Sequence, residues 1–233
     1  MNRSDIWAVV PVKAFHLAKT RLAPFLTRTE RQELSAAMLR DVLSALAAVP
    51  TLAGTRVVTR DPAAVRIAAG FGAETMPGPA ARGPTLAVAA AARGLADEGR
   101  HGMLAVMGDV PLATPAALTD LLANHGHTPA VTLVPAADGR GCNAALVTPP
   151  DGLALTFDGQ SLAQHQAMAN ALGINARTAE VPELALDIDD THDLAAFLRH
   201  AGETRTASFL RAIGAAERWH DPIQAAPVPE AMR

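Results

Sequence analysis

Three carboxylates and three cations fall where phosphate chemistry would need them. Gly108-Asp109-Val110-Pro111-Leu112 ends an apolar run with an acid, and Leu184-Ala185-Leu186-Asp187-Ile188-Asp189 ends another with two acids spaced i, i+2. In an extended segment that spacing turns both side chains to the same side. Acids gathered at strand ends make an oxygen-rich site suited to Mg²⁺, which takes carboxylates and keeps water and phosphate as its remaining ligands. Asp109, Asp187 and Asp189 are therefore the candidate metal ligands. Val10-Pro11-Val12-Lys13 and Lys19-Thr20-Arg21 place three cations on the loop that leaves the first strand. Lysine supplies a compact charge and Arg21 a planar two-pronged grip on phosphate oxygens, so this loop suits a polyanion. Lys13 and Lys19 are the only lysines in the chain, every other basic position being Arg or His. Lys13, Lys19, Arg21 and Asp109 are the candidate catalytic residues. The plainer uses of the same residues are a solvated basic loop, a turn at Asp109, and a helix cap at Asp189 or Asp190.

Two glycine-containing segments complete the set. Asp138-Gly139-Arg140-Gly141-Cys142-Asn143 reads as a turn between strands, with Asn143 entering the second; a tight hairpin explains its glycines equally well. Phe157-Asp158-Gly159-Gln160-Ser161-Leu162 leads into a helix, and an exposed N-terminus capped by Ser161 can take a phosphate or carboxylate, or be a plain serine cap. Neither a dinucleotide-type glycine fingerprint nor a Walker loop is present, so a metal would have to help hold a triphosphate. No Ser-His-Asp or Cys-His set is evident. His16 and His165 read as loop or helix-surface residues rather than bases.

The elements that must position these groups alternate. Residues 6–10 form an apolar run too continuous for a one-sided sheet, as expected of a central parallel strand. Thr27-Arg28-Thr29-Glu30 matches a capping box, and Leu34, Met38, Val42 and Leu46 follow on one face, predicting a helix over 29–48. Strands are expected at 56–59, 74–76 and 103–107, and helices from Pro62, over 84–98 and over 115–124. Beyond residue 130 strands fall near 130–135 and 144–148, a helix over 161–172, a strand-like segment at 177–181 and a helix after Asp190-Thr191. Repeated βα units predict an α/β fold with a doubly wound, mostly parallel sheet, whose ligands sit at the carboxyl ends of the strands. Residues 1–202 are expected to form one domain and 203–233 a helical tail, with one helix over 204–219 and a frayed end after Pro222. The apolar stripe of Phe209 and Ile213 would close over the domain itself or pack against a second subunit in a homodimer.

Length and charge narrow the class. A chain of 233 residues holds one large α/β domain. A formal net charge of −3 with both signs scattered gives no basic stripe for nucleic acid. The single Cys142 excludes an internal disulfide, and no apolar run reaches the roughly 20 residues that span a bilayer, so a cytoplasmic protein without membrane partners is expected.

Taken together, VPVKAFHLAKTRL, GDVPL, GRGCNAAL, FDGQSL and LALDID resemble, in order over residues 6–200, the CofC/FbiD-type family of phospholactate guanylyltransferases. The resemblance implies a nucleotide-diphospho-sugar transferase fold of Rossmann-like type. It also implies transfer of GMP from GTP to 2-phospho-L-lactate, phosphoenolpyruvate or 3-phospho-D-glycerate, in the synthesis of the deazaflavin coenzyme F-420. By the same resemblance Asp109, Asp187 and Asp189 hold Mg²⁺, while the 11–21 loop, with Pro11, Val12 and Lys13, embraces GTP together with Asp109 and Thr85. Asn143, Asp158 and Ser161 line the acceptor pocket. Two positions depart from the family pattern: Pro84-Thr85-Leu86 replaces a Leu-Asn pair, and Asp158 replaces a glycine after the aromatic residue. Rival readings are another nucleotidyltransferase of the same fold, disfavoured by VPVK in place of a glycine-rich first loop, and a non-catalytic nucleotide-binding module.

Overall fold

The computed structural model describes residues 5–78, 83–200 and 202–219. Seven strands, β1 (Ile6–Pro11), β2 (Leu52–Val58), β3 (Glu74–Met76), β4 (Gly102–Val106), β5 (Ala130–Pro135), β6 (Cys142–Thr148) and β7 (Arg177–Thr178), form one sheet in the order β3-β2-β1-β4-β6-β5-β7. All pairings are parallel except those of β6, which runs antiparallel to both β4 and β5. The helices are α1 (Arg28–Ala47), α2 (Pro62–Gly70), α3 (Pro84–Asp97), α4 (Pro115–Ala123), α5 (Ser161–Ala171), α6 (Pro182–Ala185), α7 (Thr191–His200), α8 (Arg205–Ala212) and α9 (Ala215–Trp219).

The unbroken apolar run of β1 follows from its place at the centre. Ile6, Ala8 and Val10 face a core completed by α1, α2 and α4, while Trp7 and Val9 face one completed by α3 and α5. Alternate residues thus serve opposite layers, which is the doubly wound arrangement. The chain reverses direction of winding between β1 and β4, so the carboxyl ends of these two strands open the crevice in which ligands of such sheets bind.

Helix α1 begins as its sequence predicts: the Thr27 side chain accepts from the Glu30 N–H, and the Glu30 carboxylate accepts from the Thr27 N–H. It buries two faces rather than one. Leu39, Val42, Leu43 and Leu46 lie against the sheet, while Leu34 and Met38 join a third core with Leu22, Leu26, Ile188, Phe197 and Leu210. A helix with apolar residues on most of its circumference is one sandwiched between layers, and here the outer layer is the tail. The single tail helix expected over 204–219 is two helices, α8 and α9, separated by Gly214 at φ 64°. Phe209 and Ile213 pack on the third core, so the tail's stripe is used within the chain. Residues 222–233 lie outside the described residues.

One buried acid locks the tail to α1. Asp41 accepts from the N–H groups of Arg205 and Thr206, at 2.9 Å each, and from the Thr206 hydroxyl at 2.7 Å. Asp41→Ala will leave these donors without partners in a buried seam and lower stability by about 2–3 kcal/mol. Chemical denaturation measures this, and a loss below about 0.5 kcal/mol would contradict the lock.

Candidate active site

The crevice at the switch point is a cleft of about 840 Å³. Pro11, Val12, Lys13, Lys19, Arg21, Asp109, Asn143, Asp187 and Asp189 all line it. The loop from Pro11 to Arg21 forms one wall because β1 ends at Pro11 and the Phe15 N–H donates to Asp61, the N-cap of α2. Asp109 arrives from β4. Its backbone carbonyl accepts from the Ile188 N–H at 3.2 Å, which draws the 186–189 segment alongside. That segment is not the end of a strand, as its apolar pattern suggests, because Pro182–Ala185 forms a turn of helix, Leu186 leaves it in an extended conformation, and 186–189 pair in no strand. The side-chain consequence is nevertheless kept: Ile188 is buried in the third core, and Asp187 and Asp189, on either side of it, both line the cleft.

Lys19 is the group whose position sequence spacing does not reveal. Its ammonium donates to Asp109 at 2.5 Å and to Asp189 at 2.8 Å, with the side chain only 6% exposed. Burial alone would weaken its charge, but the carboxylates of Asp109 and Asp189 outweigh burial and hold its pKa well above the usual lysine range. The same ammonium, followed by burial acting in opposition, holds the Asp189 carboxyl low. Among the described residues Lys19 is the only non-glycine residue with positive φ, at 53°. A lysine in the left-handed region costs about a kcal/mol or more, and the buried ion pairs are what keep it there.

Asp187 behaves differently. Burial, then the negative charge of Asp109, push its carboxyl up to about 6, and the hydrogen bond from Asn143 only partly offsets this. Asn143 is fixed in turn: its Nδ2 donates to the Ala185 carbonyl at 2.8 Å and to Asp187 Oδ1 at 3.0 Å. Asn143 therefore orients the acid as well as lining the cleft.

Several expectations are revised. Asp158 does not line the cleft; its carboxylate accepts from the Gln160 N–H and from Gln164 Nε2, and stays low for those reasons. Its charge is thus turned onto its own loop, while Phe157 and Gly159 form the wall. Ser161 neither caps α5, where Gln160 holds that place, nor lines the cleft; its hydroxyl is buried without a partner. Thr85 is likewise a step behind the lining residues Gly83 and Pro84, its hydroxyl accepting from the Phe157 N–H at 2.9 Å. His165 is fully buried rather than on the helix surface, whereas His16 is exposed. Asp190 does cap α7, in a reciprocal arrangement with Asp193, and also pairs with Arg21. Cys142 is buried, which pushes its thiol up to about 12 and removes it as a nucleophile.

Among the described residues no three His, Cys, Asp or Glu side chains are already gathered around a metal position. The donor set still fits Mg²⁺, which is held by one or two carboxylates together with water and substrate phosphates rather than by an all-protein cage.

Known proteins similar to this chain bear on its family and fold. The family model described as "Guanylyl transferase CofC like" matches residues 6–222. A phosphoenolpyruvate guanylyltransferase of Conexibacter woesei is 36% identical over 210 residues, covering 88% of this chain and 94% of the relative. A 2-phospho-L-lactate guanylyltransferase of Natrialba magadii is 32% identical over 227 residues, covering 88% and 92%. Among solved structures, a protein described as a nucleotide-diphospho-sugar transferase from Desulfovibrio desulfuricans G20 superposes with a TM-score of 0.71 at 16% identity, covering 92% of this chain and 97% of that one. A nucleotidyl transferase from Methanothermobacter thermautotroptrophicus gives 0.60 at 18% identity, covering 89% and 98%. The fold is thus of the nucleotide-diphospho-sugar transferase type, and the chain belongs to the CofC-like guanylyl transferase family of nucleotidyltransferases.

Proposed function

We propose that the protein transfers GMP from GTP, with Mg²⁺, onto the phosphate of a small three-carbon acid, releasing pyrophosphate, as a step in coenzyme F-420 synthesis. Phosphoenolpyruvate is the first candidate acceptor, with 2-phospho-L-lactate and 3-phospho-D-glycerate behind it, because phosphoenolpyruvate guanylyltransferases recur among the relatives. The observation that carries the reading is the meeting of Lys19 with Asp109, Asp187 and Asp189 at the switch-point cleft.

In this reading an oxygen of the acceptor phosphate attacks the α-phosphorus of GTP in line. A new P–O bond forms, the bond to the β-phosphate oxygen breaks, and pyrophosphate leaves with the electron pair. No covalent enzyme intermediate and no side-chain base is needed, since a phosphate dianion is already an adequate nucleophile. Bound Mg²⁺, held by Asp109, Asp187 and Asp189, would supply charge neutralisation for the pentavalent phosphorus and the leaving group. Lys13 and Arg21 gather the triphosphate at the mouth of the cleft, both being exposed there. Lys19, itself buried, carries its charge among the acids as a fixed, preorganised cation beside the reacting phosphates. Asn143 keeps Asp187 turned toward the cleft, and the wall of Phe157 and Gly159 bounds the acceptor side.

Purified protein incubated with GTP, Mg²⁺ and each acid separately should release pyrophosphate with one of them and not without an acid. Silence with all three acids, under conditions where GTP binds, would count against this acceptor class.

A further inference from the structure

In the reading above, Phe157 and Gly159 of the 156–160 segment wall the acceptor side of the cleft, yet that segment has no regular structure of its own to hold it. Three side chains from elsewhere do so, one of them Gln164, whose Oε1 accepts from the Thr156 hydroxyl at 3.1 Å and whose Nε2 donates to Asp158 at 3.1 Å. Thr85, at the start of α3, accepts the Phe157 N–H, and His165 Nε2 accepts the Thr156 N–H at 2.8 Å. The His165 ring also meets Phe157 edge-on, with centroids 5.9 Å apart and planes at 71°.

An Nε2 that accepts a backbone N–H must carry a lone pair, so the imidazole is neutral and its proton is on Nδ1. The environment agrees: burial lowers the His165 pKa, with the Thr156 N–H and the Asp158 charge appearing as weaker, opposing influences. That leaves Nδ1–H as a buried donor without a partner. The Ser161 hydroxyl, one helical turn before it on α5, is also buried without a partner. Helical side chains lean toward the N-terminus, which places residue i+4 over residue i. The two groups do not bond each other and neither residue lines the cleft, so both lie behind the wall rather than in it.

We propose that His165 is a positioning residue for the acceptor: through Nε2 and its edge-on contact with Phe157 it fixes the 156–160 wall of the cleft. This rests on the guanylyl transfer proposed above. His165 does not touch the substrate itself. Its removal should therefore weaken the acceptor while sparing the nucleotide, which is bound by the 11–21 loop on the other side.

The test compares His165→Phe, which keeps the bulk and loses both nitrogens, with His165→Gln, whose Oε1 reaches the Nε2 position. With GTP, Mg²⁺ and the acid that supports turnover, His165→Phe should raise the acceptor KM about tenfold or more, the scale of one lost hydrogen bond of about 1.4 kcal/mol. The KM for GTP and kcat should change less than about twofold, and His165→Gln should recover part of the acceptor KM. Equal weakening of both substrates, or no rescue by Gln, overturns the proposal. Amide hydrogen exchange, read without any substrate, separates the two claims. His165→Phe should lose protection at the Thr156 N–H and His165→Gln should keep it. Unchanged protection in His165→Phe overturns the proposal even if the enzyme is active. Wild-type protein that turns over no acid overturns the functional reading and the acceptor role with it.

Discussion

Asp187→Asn will abolish guanylyl transfer while making the metal-free protein more stable at about pH 8. The two effects have one cause. Burial and the neighbouring Asp109 charge push the Asp187 carboxyl from its ordinary 3.8 to about 6, so the folded protein binds more protons than the unfolded chain between those values. The contribution to stability is therefore complete below pH 3.8 and is lost as pH rises through about 6. A neutral amide removes that cost and still accepts from Asn143 Nδ2, whose bond to Oδ1 is 3.0 Å. It cannot supply the negative charge that holds a divalent cation against the triphosphate, so kcat/KM should fall by about 10³-fold or more. In the wild type, one proton competes with the metal below pH 6, so Mn²⁺ affinity, read by electron paramagnetic resonance, should fall about tenfold per pH unit there. An Asp187→Asn variant that melts lower than wild type without metal, or a flat metal affinity across this range, contradicts the account.

Lys19→Met is expected to have the second largest effect, and its signature is divided between metal-free and metal-bound protein. The ammonium is the one side-chain cation found within 3 Å of both Asp109 and Asp189 among the described residues. Removing it leaves two acids facing each other across a half-buried site. A fully buried pair broken this way costs about 3–5 kcal/mol; discounting for the 28% and 48% exposure of the two acid side chains leaves about 1–2 kcal/mol. Metal-free Lys19→Met should therefore melt lower, regain stability with Mn²⁺, and bind Mn²⁺ more tightly than wild type when no nucleotide is present, because its internal competitor is gone. Turnover should nonetheless fall by about 10²–10³-fold, since the charge that assists the phosphorus centre is lost. Weaker metal binding in the variant would show that Lys19 does not compete for the acids.

Much of this arrangement was legible in the sequence because it depends on local chemistry. The continuous apolar run before Pro11, the capping box at Thr27 and Glu30, and Asp61-Pro62 at the start of a helix all appear where expected, each being decided within a few residues. The site acids were legible for the same reason, as charges that interrupt apolar segments. What was hidden depends on distant partners. Lys19 meets Asp109 and Asp189 across 90 and 170 residues, and nothing in its neighbours announces a buried ammonium in the left-handed region. His165 reads from the sequence as a loop or helix-surface residue, yet it is fully buried, with Nε2 accepting from the Thr156 N–H and its ring against Phe157. Asp158 looked like a charge aimed at the acceptor, but its following Gly159 at φ 84° lets the loop turn back so that Gln160 and Gln164 satisfy it. The reciprocal caps of Asp190 and Asp193 follow the capping-box spacing with aspartate in place of glutamate, a signal that could have been read beforehand.

The most direct test of guanylyl transfer at this cleft is to follow the α-phosphorus itself. GTP labelled there should be incubated with wild-type protein, Mg²⁺ and phosphoenolpyruvate, with 2-phospho-L-lactate and 3-phospho-D-glycerate in parallel, and the products separated. The account predicts that the label moves into an adduct joining GMP to one of these acids, with pyrophosphate in equal amount, and that Asp187→Asn forms none. Label recovered only as GMP or GDP, or left in GTP with every acid while the nucleotide is bound, would contradict it.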